Sequence, residues 1–209
     1  MSKKVFQLFS LILSILALIF MIMSHYGIIR QYYLRHKPTE YYVDKYKSLP
    51  KADKDRVVVS FPYKNDIKVF LNSIIDQTVR VDDIGTTTKN KDLKLSGAEK
   101  KVVNVYTYDK DYNDTGNAIC TVLREPETNC KIILLDPTKM YGKDFIQSIV
   151  EKSNENPTKI IQVEGYDIFL IKPIFFSENF VNDDTETCFE LLRNHGEILK
   201  FPYMEIKNI

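Results

Sequence analysis

The residues best placed for chemistry gather at the end of one apolar run. Lys131-Ile132-Ile133-Leu134-Leu135 leads directly into Asp136, Pro137 and Thr138. An unbroken apolar run of this kind suits a strand buried on both faces, as in the middle of a parallel sheet. Pro137 cannot donate a ladder hydrogen bond, so the strand is expected to stop there. Asp136 then stands at the carboxyl end of a central strand, the edge at which open α/β sheets bind ligands. Other carboxylates stand in two acidic segments. Asp109 and Asp111 lie in a turn-rich loop and fit solvation or turn formation. Asp183 and Asp184 precede the last expected helix, where either is a natural N-cap. Phe61 ends the first strand and Tyr63 follows it, and their rings suit core packing or stacking on a base. His195, before the C-cap Gly196, complements the negative end of that last helix. The sequence contains no Ser/His/Asp set, no glycine-rich phosphate loop and no Cys/His cluster with zinc spacing. The three cysteines, Cys120, Cys130 and Cys188, leave at least one thiol unpaired, and a Cys120–Cys130 bridge stays open for a lumenal chain.

The elements that must position these residues follow from periodicity. Val57-Val58-Val59-Ser60-Phe61 is a β-branched run ending at Pro62, a buried first strand. From Lys64 to Gln77, Ile67, Phe70, Leu71, Ile74 and Ile75 share one helical face. A short second strand is expected over Val79 to Ile84, a polar Lys-rich loop over Gly85 to Gly97, and a third strand over Val102 to Tyr106. A short helix over Ala118 to Arg124 precedes the central strand, and a helix over Gly142 to Lys152 follows it. Lys159 to Val163 and Asp167 to Ile171 are strands around the turn Glu164-Gly165-Tyr166. A helix over Glu186 to Asn194 and a strand over Ile198 to Tyr203 complete the body. Strands alternating with helices imply a three-layer α/β fold with a mixed sheet, parallel at first and mixed near its end.

The N-terminal part is different in kind. Residues 1–4 form a short basic tail and residues 5–29 a membrane anchor. Val5 to Met23 is almost wholly apolar and spans about 28 Å as a helix, near the ~30 Å hydrocarbon core. It is longer than the apolar core of a signal peptide and has no small-residue cleavage site after it. Residues 30–55 are expected to be a stalk or linker with a tyrosine stripe at Tyr41, Tyr42 and Tyr46, and residues 56–209 the folded domain. A short tail before a long domain is the type II layout, with the body lumenal or external. Asn113-Asp114-Thr115 is the one glycosylation sequon that fits this placement. The net charge of the 209 residues is only +1, without the basic stripe that nucleic acid requires.

Taken as an ordered set, several segments resemble a known family. Val57 to Ser60, Leu71 to Ile84, Asp109-Lys110-Asp111-Tyr112 and Leu123-Arg124-Glu125 are similar to the opening half of a glycosyltransferase-like family common in large DNA viruses. Lys131 to Phe145 resembles its motif strand. Gly165-Tyr166, Lys172-Pro173, Phe175-Phe176 and Asn182 to Thr185 resemble its acceptor-side segment. The resemblance covers most of Arg56 to Tyr203. It implies the nucleotide-sugar-binding fold called GT-A, a nucleotide-sugar donor, and a glycan or protein acceptor, in a viral or host secretory membrane. It implies Mn2+ or Mg2+ at an Asp-x-Asp motif, with Asp136 as metal ligand. Phe61, Tyr63, Asp111, Asp136 and Thr138 would contact the donor, and Asp183 or Asp184 would be the base that deprotonates the acceptor. The family has three consecutive aspartates where this chain has Asp136-Pro137-Thr138. It has a threonine-rich turn with a basic residue where this chain has Phe61-Pro62-Tyr63-Lys64-Asn65. It has Gly-Pro and a lysine where this chain has Asn113 to Asn117. Two unit charges about 4 Å apart interact by roughly 4 kcal/mol at an effective dielectric of 20. Loss of one carboxylate therefore weakens a cation site by up to about a thousandfold. The sequence leaves two expectations: a weakened glycosyltransferase, or an inactive glycosyltransferase-fold scaffold or binding protein.

Overall fold

The structure, a computed structural model, describes residues 3–25, 27–88, 93, 95–107, 129–175, 197–203 and 205–209. The expected helices at 118–124 and 186–194 lie outside these residues. So do Asp109, Asp111, the Asn113 sequon, Cys120, Asp183, Asp184, Cys188, His195 and Gly196. The chain divides into two compact units, Met1–Pro38 and Thr39–Ile209.

In the first unit, α1 (Lys3–His25) contains Val5–Met23, long and apolar enough to cross a membrane. Its side chains from Val5 to Met23 are exposed throughout. Gly27 adopts the left-handed conformation, φ 64°, which glycine reaches without steric cost. It separates α1 from α2 (Ile28–His36). Within α2, His36 stacks on Tyr32 with ring centroids 4.1 Å apart. Lys37 is extended, as a residue before proline must be, and α2 ends there.

The second unit begins at Thr39 with α3 (Glu40–Ser48), so the part of the expected stalk or linker from residue 39 to 55 packs within the same compact unit as the sheet. Tyr42, Val43 and Tyr46 are buried, whereas Tyr41 is exposed, so the expected tyrosine stripe splits between core and solvent. The Tyr46 hydroxyl accepts the Val81 N–H at 3.1 Å. Arg80 N–H donates to Pro50 O and Ala52 N–H to Arg80 O, which binds the 49–52 segment to the body as a short ladder.

The main sheet has seven strands in the order β3-β2-β1-β4-β7-β6-β8. They are β1 (Val57–Pro62), β2 (Asp83–Thr88), β3 (Asn104–Thr107), β4 (Lys131–Leu134), β6 (Ile160–Val163), β7 (Phe169–Ile171) and β8 (Ile198–Phe201). β1 to β4 are mutually parallel, and β7 runs antiparallel to both β4 and β6. A second sheet pairs β5 (Lys139–Tyr141) with β9 (Ile206–Asn208), antiparallel. This is a mixed α/β body with a mostly parallel sheet.

Alternation places Val58, Ile132, Leu134, Ile160, Phe169 and Ile171 in one buried cluster on one face. The aromatic rings form a separate chain. Phe61 meets Phe70 at 4.7 Å, Phe70 meets Tyr141 at 6.0 Å, and Tyr141 meets Phe145 at 4.8 Å, all in offset or edge-on arrangements.

Three expected boundaries move for physical reasons. α4 is Lys68–Ile75 because Asp66 sits at φ 60°, incompatible with a right-handed helix reaching back to Lys64. β2 is shifted toward the C-terminus, because residues 79–82 turn to pair with the 49–52 segment. The Gly85 to Thr88 stretch, expected as loop, is instead buried strand. Thr86 is accommodated there because its hydroxyl donates to Phe61 O at 3.1 Å. α5 (Phe145–Glu155) starts three residues late, after the close approach at Gly142 described below.

Two outcomes follow. Replacing Tyr46→Phe leaves the buried Val81 N–H without a partner and costs about 1–3 kcal/mol in urea-induced unfolding. Asp82 contributes an acid-dependent share of stability. Burial raises its carboxyl pKa, but the Lys51 ammonium at 2.7 Å and the Val57 N–H outweigh it, so the pKa lies below the usual range. A depressed carboxylate stabilises above its unfolded pKa and loses that contribution as pH falls through the folded one. The acid limb of a pH–stability curve is expected to flatten in Asp82→Asn.

Candidate functional site

The strand order reverses between β1 and β4, which is where a ligand crevice opens in such sheets, outside the carboxyl ends. The register Ser60↔Leu134 brings the ends of these two strands side by side, and Leu135 N–H donates to Ser60 O. Asp136 therefore stands at the carboxyl end of the fourth strand of seven, as expected. Its side chain is 32% exposed. Tyr63 continues β1 beyond Pro62, half-buried, with its N–H on Thr87 O. Phe61 is fully buried and its ring packs on Phe70. It is a core residue with no free ring face for a base, which corrects its assignment to the donor site. Asp111, Asp183 and Asp184 lie outside the described residues.

The Asp136 carboxylate is already engaged. Oδ1 accepts the Thr138 N–H at 2.8 Å and the Thr138 hydroxyl at 2.7 Å, an Asx turn that closes the strand end. Oδ2 faces the Lys139 ammonium at 4.0 Å. The Tyr141 hydroxyl clamps the Asp136 backbone, accepting its N–H at 2.9 Å and donating to its carbonyl at 3.1 Å. Burial holds the Tyr141 phenol well above its ordinary pKa, so it remains a donor. Tyr141 N–H in turn donates to Ser73 Oγ, whose hydroxyl donates to Phe70 O within α4.

The next turn is fixed from two sides. Gln77 donates from Nε2 to Gly142 O at 2.7 Å and accepts the Ile146 N–H at Oε1. From the other side the C-terminal strand closes over it. Ile209 N–H donates to Thr138 O, Lys139 donates to Asn208 Oδ1, and Tyr203 donates to Asp144. A Cβ on Gly142 would overlap the Tyr203 hydroxyl and lie 2.7 Å from Glu205 Cβ.

Ser73, Gln77, Tyr141 and β9 were missed in the sequence. The signal for the first two was present: polar residues at i and i+4 in the apolar run expected as helix from Lys64 to Gln77, with Gln77 lying just beyond the end of α4. Nothing local marks Ile206–Asn208 as a partner for Lys139–Tyr141.

A hard divalent cation needs several oxygen ligands, preferably carboxylates. Among the described residues no three His, Cys, Asp or Glu side chains group as such a site would need. Thr138 spends its hydroxyl proton on Asp136 Oδ1, and Lys139 places a positive charge beside Oδ2. The described residues alone do not fit a Mn2+ or Mg2+ centre.

No protein-family model matches this chain, and comparison with curated proteins finds no match.

The Gly142→Ala variant is expected to lose about 1–3 kcal/mol through overpacking. Tyr141→Phe is expected to lose a similar amount by orphaning the Asp136 N–H. Denaturant unfolding of both variants measures this.

Proposed function

We propose that this chain is a membrane-anchored, glycosyltransferase-like protein of GT-A type that binds a nucleotide-sugar at the carboxyl edge of β1 and β4. The observation that carries the reading is the strand-order reversal between β1 and β4, with a partly exposed aspartate at its rim. The ordered resemblance of the segments from Arg56 to Tyr203 supports the same reading. Asp136 and Tyr63 are the donor-side contacts, and Thr138 orients Asp136. The acceptor-side base is assigned to Asp183 or Asp184, and the acceptor is a glycan or protein. The anchor is α1, with the body on the lumenal or external side of a viral or secretory membrane.

The commitment of Thr138 to Asp136 Oδ1 favours a second form of this reading, a donor-binding protein with little or no turnover. No catalytic step is assigned to a metal at this rim.

The test uses the purified full chain in detergent, with UDP- and GDP-sugars and with manganese present or absent. One nucleotide-sugar is expected to raise the thermal midpoint saturably, and Asp136→Asn to weaken that binding at least tenfold. Hydrolysis of the donor distinguishes the enzyme from the binding protein. The double variant Pro137→Asp/Thr138→Asp is expected to gain manganese affinity by up to about a thousandfold. Absence of any midpoint shift and of any hydrolysis across both donor series would reject the nucleotide-sugar reading.

A further inference from the structure

At the opposite, amino-terminal edge of the sheet, two lysines face each other. Antiparallel β4 and β7 pair Ile132 with Ile171 and Ile133 with Leu170. One step further in the same register sets Lys131 opposite Lys172. Directly opposed residues project from the same face, where like charges repel. Both lysines are buried, Lys131 at 2% and Lys172 at 7% exposure.

A buried ammonium requires a counter-charge. Lys131 has two, Asp53 at 3.2 Å and Asp55 at 3.5 Å. Asp53 is further bonded by Asn154 Nδ2 at 2.6 Å and by the Asp55 N–H at 3.0 Å, so both its oxygens are engaged. Lys172 is supplied differently. Its Nζ donates to Pro157 O at 2.9 Å and lies 5.8 Å from the centre of the Phe175 ring. Among the described residues no carboxylate reaches it within salt-bridge distance. An ammonium carries three donors, so two remain for another partner. Burial first, and the Lys131 charge second, lower the Lys172 pKa below the usual lysine value, with Asp55 and Asp53 opposing them.

Beside these groups opens a cavity of about 620 Å³. Lys54, Lys131 and Lys172 line it against Asp53 and Asp55, with Asn129 adding a neutral amide. Positive charge is in surplus there, and the least satisfied group is a buried cation with spare donors. We propose that this cavity binds a small oxyanion, a phosphate or carboxylate group, with Lys172 as its principal cation. Such a ligand offsets the surplus positive charge of Lys54, Lys131 and Lys172 over Asp53 and Asp55, and accepts the unused Lys172 protons. The site lies at the edge opposite Asp136 and stands independently of the nucleotide-sugar reading.

The experiment titrates the full chain in detergent with inorganic phosphate and, separately, with acetate, against chloride at matched ionic strength. A saturable rise in the thermal midpoint is expected with at least one oxyanion and not with chloride. A response to phosphate alone assigns a phosphate ligand, and a response to acetate alone a carboxylate. Lys172→Met is expected to abolish the response while raising the ligand-free midpoint, because it removes the like-charge opposition. A measurement on the unaltered chain accompanies it, the acylation of Lys172 by an amine-directed reagent followed by mass spectrometry. The effective oxyanion is expected to slow acylation of Lys172 at least tenfold and to leave exposed Lys100 unchanged. Equal midpoint shifts with chloride, or Lys172 acylation unaltered at saturating phosphate and acetate, would overturn the proposal.

Discussion

The buried hydroxyl of Tyr141 carries the architecture around the candidate site, because it satisfies both backbone groups of Asp136 at once. A strand that ends in the middle of a sheet leaves an N–H and a carbonyl without ladder partners, and buried backbone groups must be paired. Proline at the next position prevents the ladder from continuing. Tyr141 returns five residues later to close the account locally, and its own position is set by Ser73 and by the Phe70 and Phe145 rings. The return path forms β5, and β5 in turn offers its free edge to β9. The orientation of the half-exposed carboxylate thus depends on a ring buried in the core and on a strand from the far end of the chain.

The two edges of the sheet solve different electrostatic problems. At the amino edge, charged residues sit where parallel strands begin: Asp55 and Arg56 before β1, Asp82 and Asp83 at β2, Lys131 at β4. They stitch neighbouring strands together. Asp82 accepts the Val57 N–H and pairs with Lys51. Asp83 faces Arg56 and accepts from Asn104 and Tyr106. Lys131 spans to Asp53 and Asp55. The Lys131–Asp53 pair, buried on both sides, adds little net stability, since desolvation offsets its attraction, but breaking it leaves a charge stranded. It penalises a shift in register, because a one-residue slip would bury that ammonium without its partner. At the carboxyl end of β4 the Asp136 carboxylate is held in a local turn by Thr138, beside the Lys139 ammonium.

Asp136 also shows how a local bond can change the chemistry of a motif. A carboxylate at this place has lone pairs to offer a cation or a ribose. Thr138 at the second position along donates two hydrogen bonds to it where an aspartate would have added a second negative group. The Thr138 hydroxyl and N–H thereby occupy Oδ1 of the Asp136 carboxylate. Phe61 makes a related point. It lies within β1, whose residues Val57 to Phe61 are all buried, and its ring packs on Phe70, whereas Tyr63 lies beyond the strand end at Pro62 and stays half-buried at the rim.

Hydrophobic pattern alone determined the long apolar helix α1, β1, β4, the α4 and α5 faces and the β6 and β7 strands. In each, one short window holds enough apolar residues of one period to define a buried face. It also placed Asp136 at a strand end, because proline ends a ladder whatever surrounds it. Tertiary structure decided the rest. The Tyr42 and Tyr46 segment became part of the body because its partners, Val81 and Arg80, lie dozens of residues away. Gly85 to Thr88 became strand because Thr86 finds the Phe61 carbonyl. β5 and β9 exist only as each other's partners, and three polar-flanked residues have no intrinsic preference for extended structure. Lys131 and Lys172 look like surface residues in the sequence, and only the β4–β7 register makes them neighbours in the interior. Local pattern records which side a residue faces, but pairing across the chain decides what it meets there.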